Sequence, residues 1–64
     1  MPIIDVTIIE GRSREKKAAL IAELTDAAVR ALDAPIAAVR VIIREVPPEH
    51  FGAAGISKAD AANS

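Results

Sequence analysis

Two runs of β-branched residues flank a single long helical pattern, and that order leaves this chain few folds to choose from. Ile3 to Ile9 reads Ile-Ile-Asp-Val-Thr-Ile-Ile, and Val39 to Val46 reads Val-Arg-Val-Ile-Ile-Arg-Glu-Val. Such density of branched side chains favours strands. Between them, from Arg14 to about Leu32, Leu20, Leu24, Ala27, Ala28 and Ala31 recur at spacings of three and four, as one face of a helix requires. Strand, helix, strand predicts a single β-α-β unit of the α/β (α+β) class. Its strands are parallel and its crossover right-handed.

The punctuation agrees. Glu10-Gly11 breaks the first strand, and Ser13 suits a helix N-cap because its hydroxyl accepts a free backbone N–H of the first turn. Glu15 fits the positive end of the helix dipole. Lys16, Glu23, Asp26 and Arg30 keep to the wet side. Asp33-Ala34-Pro35 ends the helix, since proline disfavours helical geometry in the residue before it. Pro47-Pro48 stops the second strand, because neither residue can donate to a sheet ladder. Beyond it, His50-Phe51-Gly52 and Gly55-Ile56 predict a short C-terminal hairpin or loop. The alanine-rich, polar segment Ser57 to Ser64 is expected to fray. Residues 1–64 are expected to form one domain.

A unit this small has a shortage of interior. A 64-residue chain buries only roughly 60% of the surface its unfolded form exposes. Chains of this size commonly need disulfides, a metal or partner subunits. Cysteine is absent and His50 is the only histidine, which removes disulfides and a multi-histidine metal site within one chain. Yet 52% of the residues are hydrophobic. One helix covers one sheet face. By parity Ile4, Val6 and Ile8 point one way, and Ile3, Ile9 and Ile42 the other. A bare two-stranded sheet is not stable alone in water, so several copies are expected to pack their open faces together. The net charge of −1 argues against nucleic-acid and membrane-surface partners. No apolar run is long enough to span a bilayer and no secretion signal is evident, which points to the cytoplasm.

Chemistry is sparse, and begins at Pro2. If Met1 is removed, Pro2 carries a secondary amine. An α-amino group titrates near pH 8 in an unstructured chain, and neighbouring cations and an apolar wall would keep it neutral and basic. Read alone, a proline there also simply starts a strand. Arg12, in the loop between Gly11 and Ser13, and Arg40, near the start of the second strand, are each either ordinary surface charges or carboxylate clamps. A guanidinium grips a carboxylate through two parallel hydrogen bonds. Phe51, the only aromatic, is either packing or an apolar cavity wall. His50 titrates near neutrality and is a further acid–base candidate beside its reading as a loop residue. Arg14, Arg30, Arg44, Lys16, Lys17 and Lys58 read as solvated charges. No phosphate loop, serine-nucleophile elbow or metal cluster is present.

Pro2 behind the start, Ile9-Glu10-Gly11-Arg12-Ser13, Leu32-Asp33-Ala34-Pro35, Val39-Arg40-Val41-Ile42-Ile43 and His50-Phe51-Gly52 together closely resemble the 4-oxalocrotonate (2-hydroxymuconate) tautomerase family. The resemblance runs from Met1 to about Gly55. It implies the tautomerase (MIF-like) fold, a homohexamer built as a trimer of dimers, and loss of Met1 to leave the Pro2 nitrogen as catalytic base. It implies that Arg12 binds the far carboxylate of a dienol substrate, that Arg40 binds the carboxylate and oxygen at its 2-hydroxy end, and that Phe51 makes the pocket apolar. No cofactor is implied. The expected reaction is ketonisation of a 2-hydroxymuconate-type dienol to its conjugated 2-oxo isomer, as in aromatic hydrocarbon catabolism. Two rival expectations stand beside it. One is a 3-haloacrylate hydrolytic dehalogenase of the same superfamily, which would need an added carboxylate after Phe51 where this chain has Gly52-Ala53-Ala54. The other is a non-catalytic oligomeric module, if Met1 stays in place.

Overall fold

The computed structural model describes residues 2–61. Strand β1 (Ile3–Ile9) leads through Gly11 to helix α1 (Arg14–Leu32), and β2 (Arg40–Val46) returns parallel to β1. The ladder runs in register from Ile3 opposite Arg40 to Ile9 opposite Val46, and Glu10 N–H extends it onto the Val46 carbonyl at 2.9 Å. A small antiparallel hairpin, β3 (Gly52–Ala53) and β4 (Ile56–Ser57), follows, and a turn of helix α2 (Lys58–Ala61) closes the described chain.

The local chemistry explains the boundaries. Ser13 Oγ accepts from Lys16 N–H at 3.1 Å, starting α1. Asp33 stops the helix in the left-handed conformation (φ 55°), which aspartate tolerates better than most residues. The strand predicted from Val39 begins one residue later. Pro35 opens a 3-10 turn over Ile36–Ala38, and the Val39 N–H is used to close it on the Ile36 carbonyl at 3.2 Å, so Val39 caps a turn and is one of the most buried residues. The segment expected to fray from Ser57 is organised differently: Ser57 lies in β4 and Lys58–Ala61 is helical. Ser57 Oγ accepts from Asp60 N–H at 3.1 Å, the cap that turns the chain. Residues 62–64 of that segment lie outside the described residues.

Alternation partitions the sheet as the parity predicts. Ile4, Val6, Ile8, Val41 and Ile43 are half-buried on the side of α1. The face of α1 turned inward is offset from the one its alanine pattern predicts, with Lys17, Thr25 and Val29 also half-buried. Leu20, Leu24 and Ala28 are sheltered, whereas Ala27 and Ala31 are exposed. Lys17 Nζ lies 3.1 Å from Glu45 Oε1 and bridges helix to sheet. On the opposite face Ile3 and Ile42 are 59% and 45% exposed. On the same face Arg44, expected to be solvated, is tied to Asp5 by two hydrogen bonds, Nε to Oδ1 at 2.9 Å and Nη2 to Oδ2 at 3.0 Å.

A protomer built this way is thin. Its extents are 46 × 24 × 14 Å and its radius of gyration is 14.8 Å, against about 11 Å for a compact chain of this length. Among the described residues only Ala28 and Val39 are buried. Leu32, Ile36 and Ile56 are all more than half exposed. Such a ledger of exposed apolar surface does not describe a self-sufficient globule.

The Asp5–Arg44 pair carries a prediction. The Arg44 hydrogen bonds hold the Asp5 carboxyl below its ordinary value against an opposing effect of burial, with a lesser contribution from the Arg44 charge. A depressed folded-state pKa adds stability above the unfolded value, and that stability is lost as the pH falls through the folded one. Asp5→Asn is therefore expected to lower the thermal midpoint at pH 7, with the gap to the parent closing on acidification below about pH 4. A gap that is constant from pH 7 to pH 3 would show that the pair contributes nothing through its charge.

Candidate active site

The parallel register decides which candidate residues meet. Pro2 precedes the first residue of β1, and Arg40 is the first residue of β2, opposite Ile3. Arg40 N–H donates to the Pro2 carbonyl at 3.0 Å. Proline lacks a donor at the one ladder position where none is needed. Pro2 is half-buried and the Arg40 side chain is exposed. The guanidinium leans toward the 3-10 turn, its Nη1 donating to the Ala37 carbonyl at 2.6 Å. The remaining guanidinium N–H groups make no hydrogen bond to another described residue.

Arg12 stands at the other end of the sheet. Gly11 turns the chain there with φ at 119°, a conformation that side chains rarely adopt, so glycine is what allows Arg12 to follow the strand so closely. Arg12 Nη1 makes only a long contact of 3.4 Å to the Ile9 carbonyl. The side chain lines a hollow of about 230 Å³ together with Ile8, Lys16, Lys17 and Leu20. A strand of 7 residues spans about 23 Å. Pro2 and Arg12 of one chain are thus too far apart to hold one small molecule between them.

Phe51 belongs to a third place. It is 39% exposed and lines a separate hollow of about 180 Å³ with Ala53, Ile56, Lys58 and Ala61. The Lys58 N–H donates to the Phe51 carbonyl at 2.7 Å, so α2, which the sequence reading left as loose tail, anchors the aromatic residue. No carboxylate lines this hollow. His50 ends the 3-10 turn Pro48–His50, and its side chain is exposed with no hydrogen bond among the described residues. No group of three His, Cys, Asp or Glu side chains able to hold a metal occurs among the described residues, and no helix there is long and apolar enough to cross a membrane.

One protomer therefore brings the main chains of Pro2 and Arg40 together and keeps Arg12 and Phe51 apart from them. The sequence reading did not single out Lys16, which shares the hollow of Arg12. Its position four residues beyond Arg12, across a helix cap, was the available signal.

Comparison with known proteins follows the same outline. Residues 2–61 match the model of the family described as "Tautomerase enzyme". A Ralstonia nicotianae protein named "Probable tautomerase" is 61% identical over 61 residues, covering 95% of this chain and 87% of that protein. A 2-hydroxymuconate tautomerase of Stutzerimonas stutzeri is 54% identical over 57 residues, covering 89% of this chain and 90% of that protein. Among solved structures, a heterohexamer 4-oxalocrotonate tautomerase from Chloroflexus aurantiacus superposes with a TM-score of 0.90 at 50% identity, over 94% of this chain and 97% of that one.

Proposed function

The chain belongs to the tautomerase family and is an enzyme of tautomerase type, and from that premise we propose that it ketonises 2-hydroxymuconate-type dienols with the Pro2 nitrogen as base. Once Met1 is removed, that nitrogen is a secondary amine. It takes the proton of the 2-hydroxyl group and returns a proton to a carbon further along the conjugated chain. The substrate leaves as its 2-oxo isomer, and the amine ends as it began. Protons move and no electrons are exchanged with the enzyme, so the chemistry requires no cofactor.

The observation that carries this reading is the hydrogen bond from Arg40 N–H to the Pro2 carbonyl. It sets the main chain of Arg40, the residue that carries a permanently charged guanidinium, beside Pro2. A cation at close range disfavours the ammonium form and keeps the amine available as a base. It also suits binding of the carboxylate and oxygen at the 2-hydroxy end. Arg12 holds the far carboxylate and draws negative charge toward it as the dienolate forms. Phe51 supplies an apolar wall against water.

Pro2 and Arg12 lie at opposite ends of β1, so the complete site takes groups from more than one chain. The outer edge of β1 is unpaired among the described residues. Two copies meeting there antiparallel, about a two-fold axis, set Pro2 of one against the Arg12 end of the other. The open sheet faces then pack such dimers into a homohexamer, the state that the thinness of the protomer favours. The heterohexameric relative supports this reading.

The test is to fractionate the protein by size under native conditions and assay each fraction for ketonisation of 2-hydroxymuconate by ultraviolet absorbance. Turnover is expected in the fraction of hexamer mass. Full activity in a folded monomer would refute the shared site, and no activity in any fraction lacking Met1 would refute the reaction.

A further inference from the structure

More than one basic side chain lines the hollow beside Arg12. Its floor is apolar, made by Ile8 and Leu20, and its other lining groups are Arg12, Lys16 and Lys17. Lys17 is neutralised by Glu45 at 3.1 Å. Neither Arg12 nor Lys16 has a carboxylate within ion-pair distance among the described residues. Two basic side chains without a partner carboxylate among the described residues thus line one apolar hollow.

Lys16 is also placed against its own helix. It sits in the first turn of α1, where its backbone N–H is the one capped by Ser13. A cation there opposes the positive end of the helix dipole. An anion bound in the hollow relieves that repulsion. At roughly 30 Å³ for each water-sized group, the hollow of about 230 Å³ has room for a carboxylate and several carbons lying on Ile8 and Leu20.

We infer that Lys16 is a second cation for the distal carboxylate, adding to Arg12 in favouring dicarboxylate over monocarboxylate substrates. The inference rests on the reading of Arg12 given above and adds a residue to it. Lys16 acts on binding of the far end of the substrate and leaves proton transfer at Pro2 untouched.

Binding and turnover separate the two claims. Adipate and hexanoate share a six-carbon chain and differ by one carboxylate, and neither can tautomerise. Calorimetric titration of the assembled protein is expected to show adipate binding weakened about fivefold in Lys16→Gln, the upper range for an exposed ion pair. Hexanoate binding should change by less than about twofold, and Lys16→Arg should restore adipate. Lys16 is exposed, so these variants fold. In turnover, Lys16→Gln should raise KM for a dicarboxylic dienol with kcat unchanged. Equal weakening of adipate and hexanoate, or no change in either, overturns the role of Lys16. The adipate preference of Lys16 appearing in a parent enzyme that turns over neither dienol supports the inference and removes the proposed reaction instead.

Discussion

Inserting one lysine between Met1 and Pro2 is expected to lower kcat/KM on 2-hydroxymuconate by about 10²- to 10⁴-fold, the usual contribution of a positioned general base. The insertion turns the Pro2 nitrogen into an amide, which has no basicity. It should leave the fold alone, because the hydrogen bond that places Pro2 uses its carbonyl and the Arg40 N–H. Intact mass verifies the terminus, and sedimentation verifies the assembly. Pro2→Ala, which keeps a primary amine after removal of Met1, should retain part of the activity. An inserted chain with a blocked terminus and parental turnover would mean that another group is the base, and His50 would be the first to examine.

The second large effect belongs to the two arginines. Arg12→Ala and Arg40→Ala should each cost about 2–4 kcal/mol of transition-state stabilisation. That is roughly a thirtyfold to thousandfold loss in kcat/KM. Arg12→Ala should spare a monocarboxylic dienol, since the group it binds is missing there, whereas Arg40→Ala should damage both. Mixing sharpens the test. If sites combine Pro2 of one chain with Arg12 of another, co-refolding the Arg12→Ala chain with the lysine-inserted chain restores some intact sites. Measurable recovery above either parent preparation is expected. No recovery, with mixed assemblies confirmed by mass, contradicts the shared site.

Much of the architecture could be read before any coordinates. Ile3–Ile9 and Arg14–Leu32 have the limits that branching, the Ser13 cap and the Asp33-Ala34-Pro35 stop predict. These are local signals, and local physics sets them. Other features depended on distances along the chain. Asp5 and Arg44 share a face by parity, but their pairing needs the offset between two strands separated by a crossover whose length is not encoded locally. The same offset puts Arg40 beside Pro2. The 3-10 turn before β2 escaped notice because Val39 is a good strand former, and only its use as a turn closure keeps it out of the ladder. The α2 cap did leave a mark: Ser57-Lys58-Ala59-Asp60 is the spacing of a helix start. For the candidate site, residue types made Pro2, Arg12, Arg40, Phe51 and His50 open candidates, the family resemblance gave the first four their roles, and where each lies in one protomer came from the fold.

The bond between the Pro2 carbonyl and Arg40 N–H has a bearing on how such an enzyme can change over evolutionary time. The leading nitrogen is moored by main-chain atoms, which every residue other than proline supplies at position 40. On the proposed reaction, natural variation can therefore swap the guanidinium for another side chain, and with it the substrates accepted, while the amine stays where it is. On that proposal, anchorage and selectivity are vested in different atoms of one residue, which leaves the scaffold free to acquire new substrates without rebuilding its base.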